Sequence, residues 1–522
     1  MIREISRRKC LRLWLCKPEY MGRTKWENRF VLLRFRKKNY MMFLKDLKRF
    51  KMERLYDKLK AYSESDFYAF HMPGHKRNKT LLGIELPYDL DITEIDGFDD
   101  LHHADGILKE EQERAARVFG AEESHFLVNG STAGILSAVM GCTHRGDKIL
   151  VARHCHKSIY HAIYMNGLVP RYVYPEFDIS MHMNGEISKE DVAKALAAEP
   201  DIKAVVIVSP NYDGVVSDVK GIVEVAHSYR IPLIVDEAHG PHFGFHPAFP
   251  GRANDLGADV VINSLHKTLP SLTQTAILHI NGKIVNRRRI KKYLDMLQSS
   301  SPSYIFMASL DACVDFVDGK CENAFELYVE RLQKFREELK PLQHLQILRT
   351  EHYDISKVVI STANANITSP ELADRLRKEY HLEMEMTGGT YVLAMTTVAD
   401  TQEGLDRLKA ALLEIDGQLE AKTAVSGSIE ISGELPRLEQ YFTPQEAADR
   451  EEDGEAEEIP WKESEGHISL EYAYLYPPGS PVIVPGERIS REAVELLCYY
   501  ETQNLQIEGI QTEGKIKVWK HE

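Results

Sequence analysis

The sequence predicts an α/β protein built on a mostly parallel sheet with helices on both faces, followed by smaller domains. Two observations carry this. Short apolar runs begin at Lys148, Arg171, Ala204, Ile231 and Val260, with helical periodicity between several of them, the pattern of crossover-connected parallel strands. The chain also has 522 residues, more than one ordinary domain holds, with 43% hydrophobic and 28% charged residues. That composition is typical of soluble globular proteins and is long enough for a large core plus smaller domains.

Residues 1–51 carry 17 Lys/Arg against 4 Asp/Glu, in a chain whose net charge is −14. They lack a clean apolar core and a small-residue cleavage site, and are read as a basic extension outside the fold, which then begins at Met52. A helix is expected from Leu55 to Tyr62, then a turn-rich loop, His71-Met72-Pro73-Gly74-His75-Lys76-Arg77. Glu110 to Val118 reads as helical and Ser124 to Val128 as a strand. A helix-like run from Asn323 to Glu338 closes a large domain over residues 52–345. A smaller α/β domain is expected over 346–446, and an acidic linker with a C-terminal domain over 447–522. Glu446 to Glu458 is acidic, with Gly454 inside it, and reads as a solvated helix or loop.

The acidic charge argues against nucleic acid as a partner. Seven cysteines without CxxC spacing suggest reduced thiols in a cytoplasmic protein and no zinc site. No apolar run is long enough to span a membrane.

The chemistry centres on two segments. Ile231 to Val235 is a buried-strand pattern that delivers Asp236 at its end, and Lys267 follows 31 positions later in Ser264-Leu265-His266-Lys267-Thr268-Leu269-Pro270. An amine and a carboxylate at the strand ends of a parallel sheet are what pyridoxal phosphate needs. The lysine meets its aldehyde and the aspartate pairs with its ring nitrogen. Asn129-Gly130-Ser131-Thr132-Ala133 follows a strand and opens a helix, so its backbone N–H groups and hydroxyls suit a phosphate, although Ser-Thr at a helix start also serves as an N-cap. His156, after the strand ending near Ala152, has the position of a ring-stacking platform. His266 lies beside Lys267, and Ser264 is placed to reach either phosphate or local backbone.

Beyond these pieces the sequence resembles a known family. The segments are His71-Met72-Pro73-Gly74-His75-Lys76, Glu94-Ile95-Asp96-Gly97-Phe98-Asp99-Asp100-Leu101-His102-His103 and Ser264 to Pro270. With them go Ser300-Ser301-Pro302-Ser303-Tyr304, Tyr476-Pro477-Pro478-Gly479-Ser480-Pro481 and Pro485-Gly486-Glu487. In order, and over nearly all of Met52 to Glu487, they resemble the ornithine/lysine/arginine decarboxylases of the aspartate-aminotransferase fold (fold type I). The resemblance implies that Ser131 and Thr132 hold the phosphate, His156 stacks on the ring, Asp236 binds its nitrogen and Lys267 carries the cofactor. It places Ala238 against the ring, with His239 and His266 near the substrate carboxylate or the phosphate. Glu487 is similar to an acidic residue lining the entrance for a basic substrate. A homodimer is implied, with the loop at Ser300-Ser301 reaching the partner's cofactor, although a threonine is usual there. The chain resembles the short form without an N-terminal wing domain, for which large rings are not expected.

The implied activity is decarboxylation of arginine, lysine or ornithine to the corresponding amine and CO2, as in polyamine-type metabolism. An aminotransferase or carbon–sulfur lyase on the same scaffold would release a keto acid or another product instead. A regulatory protein that binds cofactor without turnover would make no amine at all.

Overall fold

The computed structural model describes residues 54–178, 183–348, 352–421, 435–475, 479–502, 505 and 507–520. The basic extension expected over 1–51 lies outside the described residues, as do Tyr476, Pro477 and Pro478 of the C-terminal motif.

The central sheet has seven strands: β1 (Glu123–Leu127), β2 (Lys148–Ala152), β3 (Val169–Val173), β4 (Val205–Val208), β5 (Leu233–Asp236), β6 (Val260–Asn263) and β7 (Ala276–Ile280). Their order is β1-β7-β6-β5-β4-β2-β3. The pairings β2–β3, β2–β4, β4–β5 and β5–β6 are parallel, and β7 alone runs against its neighbours β1 and β6. Strands β4 to β7 are buried at every position, so they read as continuous apolar runs without alternation, as sheets covered on both faces do. The expected strand at β1 starts one residue early, and those at Arg171, Ala204 and Ile231 are displaced by one or two residues. Pro232 precedes β5, where its missing N–H costs no ladder bond.

Helices α1 (Leu55–Ser63) and α2 (Ile107–Val118) precede the sheet. Its crossovers include α3 (Gly130–Cys142), α4 (Lys157–Met165), α5 (Lys189–Ala198) and α6 (Val219–Ser228). A four-residue helix, α7 (Leu265–Thr268), follows β6, and α8 (Arg287–Leu297), α9 (Tyr304–Val317) and α10 (Glu322–Glu338) follow β7. Gly130 opens α3 at φ 71°, a left-handed conformation that glycine adopts without strain.

A second, antiparallel sheet has the order β8 (Gln346–Ile347), β9 (Lys357–Ser361), β11 (Tyr391–Met395), β10 (Met386–Thr387), with α11 (Ser369–Tyr380) and α12 (Gln402–Asp416). It encloses its own core around Val358, Ile360, Leu376, Val392 and Leu412. A third core, around Trp461, Ile483, Leu497 and Val518, holds short C-terminal strands. The acidic stretch from Glu446 differs from its expected form. After α13 (Pro444–Glu452) it becomes a strand, Ala456–Pro460, paired antiparallel with Lys515–Trp519. The acidic side chains face solvent, while Ile459 packs against that core, so a pattern that looked wholly solvated hides an edge strand. Among the described residues, no helix is long and apolar enough to cross a membrane.

Candidate active site

The parallel strands deliver their functional side chains at their carboxyl ends, where such sheets place ligand sites. Asp236 ends β5, Tyr212 lies in the loop after β4, His156 caps α4 after β2, and Lys267 sits in α7 after β6. Ser131 is in the first turn of α3, whose N-cap Asn129 makes no side-chain capping bond. Gly130 N donates to Gln274 O at 2.9 Å, and the N–H groups of Ser131 and Thr132 are left for another acceptor. Ser131 and Ser264 hydroxyls meet in a hydrogen bond there. Thr132 is exposed on the same turn.

Lys267 Nζ lies 2.8 Å from His239 Nε2 and over the Tyr212 ring at 5.9 Å from its centroid. With the amine donating, His239 Nε2 accepts and its proton sits on Nδ1, which is buried without a partner. The Tyr212 and His239 rings are 4.5 Å apart. Asp236 is buried and accepts a bond from Ala238 N at 3.1 Å. His156 accepts from Ser158 N at 3.2 Å, and His266 Nδ1 donates to Thr275 O at 2.9 Å. His266 is thus engaged with backbone on one nitrogen.

Burial shapes the charges here. It lowers the affinity of Lys267 for its proton, against the pull of Asp236 and Glu385. It raises the Asp236 carboxyl above its usual range, opposed by Lys267 and the Ala238 N–H. His156 is pushed down to about 4 by burial and then by Lys267, and burial with the nearby Lys267 and Lys357 pushes His239 well below the usual histidine value. Both histidines are neutral at pH 7, as a ring platform and an acceptor for an amine must be.

Two residues absent from the sequence reading complete the site. Glu385, at the edge of β10, is exposed and accepts a hydrogen bond from the Tyr212 hydroxyl. It acts electrostatically on both Lys267 and Lys357. Tyr212 was open to discovery, because it follows a buried strand as Asp236 does. No local signal marked Glu385, which arrives from the second sheet.

Glu487 requires a correction. It does not line an entrance. It is fully buried and bound by Arg153 through Nη1–Oε1 at 2.7 Å and Nη2–Oε2 at 2.8 Å, and by Val484 N at 2.9 Å. A carboxylate with both oxygens committed to a guanidinium is not free to receive a substrate's cation.

The donor set fits pyridoxal phosphate. A buried carboxylate without a cationic hydrogen-bond partner faces the same space as a lysine, a neutral histidine and an uncapped helix start with two hydroxyls. Comparison with known proteins decides the family. The model of the Orn/Lys/Arg decarboxylase major domain matches residues 53–421, and that of the C-terminal domain matches 433–514. The chain belongs to the Orn/Lys/Arg decarboxylase family. It is 34% identical over 471 residues to the arginine decarboxylase of Bacillus subtilis, covering 87% of this chain and 95% of that one. With the lysine decarboxylase LdcA of Pseudomonas aeruginosa it shares 25% identity, over 83% of this chain and 73% of that one. The crystal structure of a lysine decarboxylase from Francisella novicida superposes with a TM-score of 0.77 at 20% identity, covering 92% of this chain and 83% of the other. The fold is therefore that of this decarboxylase family, and the activity is decarboxylation of a basic amino acid. The family and its fold neighbours are pyridoxal-phosphate enzymes.

Proposed function

We propose that this chain is a pyridoxal-phosphate-dependent arginine decarboxylase acting as a homodimer, its amine product feeding polyamine-type metabolism. The observation that carries the substrate is the grading of identity. Relatives named arginine decarboxylase match at 34% and 32%, whereas those named lysine decarboxylase match at 25% and 23%.

In this reading Ser131, Thr132 and Ser264 hold the phosphate at the start of α3, helped by the positive helix end. His156 and Ala238 would lie against the ring. Asp236 keeps a proton on the ring nitrogen, because an adjacent carboxylate favours that charged form. When bound, the cofactor supplies an electron sink for the bond that breaks as CO2 leaves. Lys267, its ammonium disfavoured by burial, would offer its amine to the aldehyde and afterwards move protons at its Nζ. His239 accepts from that amine and restrains its direction. His266 closes the phosphate side. Tyr212 covers the amine and aims the Glu385 carboxylate at the distal cation of the substrate, the role expected of Glu487.

Support for a dimer comes from the arm after α1. Phe67, Tyr68, Phe70, Met72, Leu81 and Leu82 are each more than 60% exposed, more apolar surface than a monomer ordinarily shows in one segment. The Ser300-Ser301 loop is exposed as well and fits a reach toward the partner's site.

The test is an assay of purified protein with arginine, lysine and ornithine, with amine and keto-acid detection. Agmatine from arginine, at a kcat/KM at least tenfold above the other two, is expected. Preference for lysine or ornithine overturns the substrate, and keto acid without amine overturns the reaction.

A further inference from the structure

Lys267 is a long side chain on a very short element, and something other than the helix must hold it. Helix α7 contributes little of its own. Lys267 N bonds to Ser264 O at 3.2 Å and Leu269 N to Leu265 O at 2.9 Å, and four residues are too few for a self-sustaining helix.

The next residue, Thr268, points away from the amine into a fully buried polar chain. Its Oγ1 lies 2.9 Å from His242 Nδ1, and His242 Nε2 lies 3.1 Å from Asp354 Oδ1. Asp354 also accepts from Ser356 N at 2.9 Å and Ser356 Oγ at 2.7 Å. None of the four residues is more than 1% exposed. The carboxylate accepts only, so Nε2 carries a proton toward Asp354, and Nδ1 meets the threonine hydroxyl. The ring is wedged edge-on between Phe243 and Phe249, at 4.9 and 4.7 Å between centroids.

The chain crosses the molecule. Thr268 belongs to the turn after β6, His242 to the loop after β5, and Asp354 to the segment leading into β9 of the second sheet. Asp354 N also donates to Gly214 O at 2.8 Å, in the loop that carries Tyr212. Asp354 therefore ties together the turn of Lys267, through its carboxylate and His242, and the loop of Tyr212, through its backbone N–H, from the segment that leads into the sheet supplying Glu385. Although burial opposes its charge, His242, Lys357 and Ser356 outweigh it and hold Asp354 down to about 2.

We propose that Thr268, His242 and Asp354 form a buried latch of positioning residues, through which the second sheet fixes the placement of Lys267. The latch rests on the reading of Lys267 as the reactive amine. A buried ionic chain is a poor source of stability compared with apolar packing, but it has one bonded arrangement and so suits a placement role. A displacement of about 1 Å at α7 would take Nζ out of line with His239, and errors of that size slow reactions that depend on alignment.

The experiment compares Thr268→Val, which keeps shape and removes the hydroxyl, with Thr268→Ser, which keeps the hydroxyl, alongside Asp354→Asn and the double variant Thr268→Val/Asp354→Asn. With saturating pyridoxal phosphate, Thr268→Val should lose about tenfold or more in kcat while KM for arginine stays within about twofold. Thr268→Ser should remain within about twofold of the parent, and the double variant should be no worse than the poorer single one. Melting of the cofactor-free protein gives a second readout, in which the losses from Thr268→Val and Asp354→Asn should be less than additive. A folded Thr268→Val with parental kcat overturns the latch, as do equal losses in Thr268→Val and Thr268→Ser, or additive melting losses. If Asp354→Asn does not fold, the two Thr268 variants decide the question. A parent that forms no amine from any basic amino acid sinks the functional reading instead, and the melting cycle still decides the latch.

Discussion

Two buried charged clusters in this molecule look alike in composition and differ in completeness. Around Arg153 and Glu487 both charged groups are matched. The guanidinium makes two bonds to the carboxylate and one to Val482 O at 2.9 Å, lies over the Tyr172 ring at 4.6 Å, and the carboxylate takes Val484 N besides. Around Lys267 the polar groups are left open. His239 Nδ1 and Lys357 Nζ are buried without hydrogen-bond partners. Burial also pushes Lys267, Asp236, His239 and His156 toward their neutral forms. A cluster whose buried charges are matched is an anchor. One whose members are desolvated and unmatched is built to receive something, because native folds rarely leave buried polar atoms bare without a reason.

The largest effects should fall on the open cluster. Lys267→Ala should abolish amine formation and the visible absorbance of lysine-bound cofactor. Full activity in that variant would end the reading of the site. Asp236→Asn should still bind some cofactor but decarboxylate several orders of magnitude more slowly, since a ring that loses its proton is a poor electron sink. Single-turnover rates check this, and a value within about threefold of the parent would show that Asp236 is misassigned.

The closed cluster should respond in stability and hardly in substrate affinity. Arg153→Met leaves Glu487 as a lone buried carboxylate, a change that costs about 3–5 kcal/mol in comparable pairs. Denaturant unfolding measures the loss, while KM for arginine in the surviving folded fraction should stay near the parental value. A large rise in KM without loss of stability would restore Glu487 to the substrate path and erase the contrast.

Glu385 sharpens the same contrast from the other side. Its carboxylate is exposed, carries only the Tyr212 hydroxyl, and belongs to a strand edge facing the amine. Removing its charge in Glu385→Gln should raise KM for arginine about tenfold or more, the worth of one charge-assisted hydrogen bond, with little change in melting temperature. An unchanged KM would mean that the substrate's cation is met elsewhere.

What the sequence showed and what it hid follow from range. The strands of the central sheet, Asp236 at the end of β5 and Lys267 after β6 were legible because a buried parallel strand is a local apolar run and its carboxyl end is a defined place. The Ser131 turn was legible for the same reason. Glu487 was misread because a Pro-Gly-Glu turn looks exposed until Arg153, 334 positions away, is brought against it. Glu385, His242 and Asp354 carry no local pattern. Their meaning arises only when the second sheet docks on the first, a contact that residue spacing along the chain does not encode. The strand at Ala456–Pro460 was hidden because its partner lies at the other end of the C-terminal segment and its outward face is acidic.

The remaining prediction tests whether the open cluster carries a standing cost. Lys357 begins β9 with its ammonium buried and unpartnered, and burial brings it from 10.5 down to about 8, helped by Lys267 and opposed by Asp354, Glu385 and Asp213. In the unfolded chain the lysine keeps its ordinary value. Between pH 8 and 10.5 the unfolded state therefore binds more protons than the folded one, so this residue makes stability rise with pH across that window and penalises the fold below it. The size is about 3 kcal/mol at most, less whatever Asp354 and Asp213 lose when the cation is removed. Lys357→Met keeps the length of the side chain without the charge. Urea unfolding of the cofactor-free protein at pH 7, 8, 9 and 10 should show a flatter profile than the parent, with the two curves converging at the alkaline end. Parallel profiles would mean that Lys357 finds a counter-charge in solution and that the cluster around Lys267 is as satisfied as the one around Arg153.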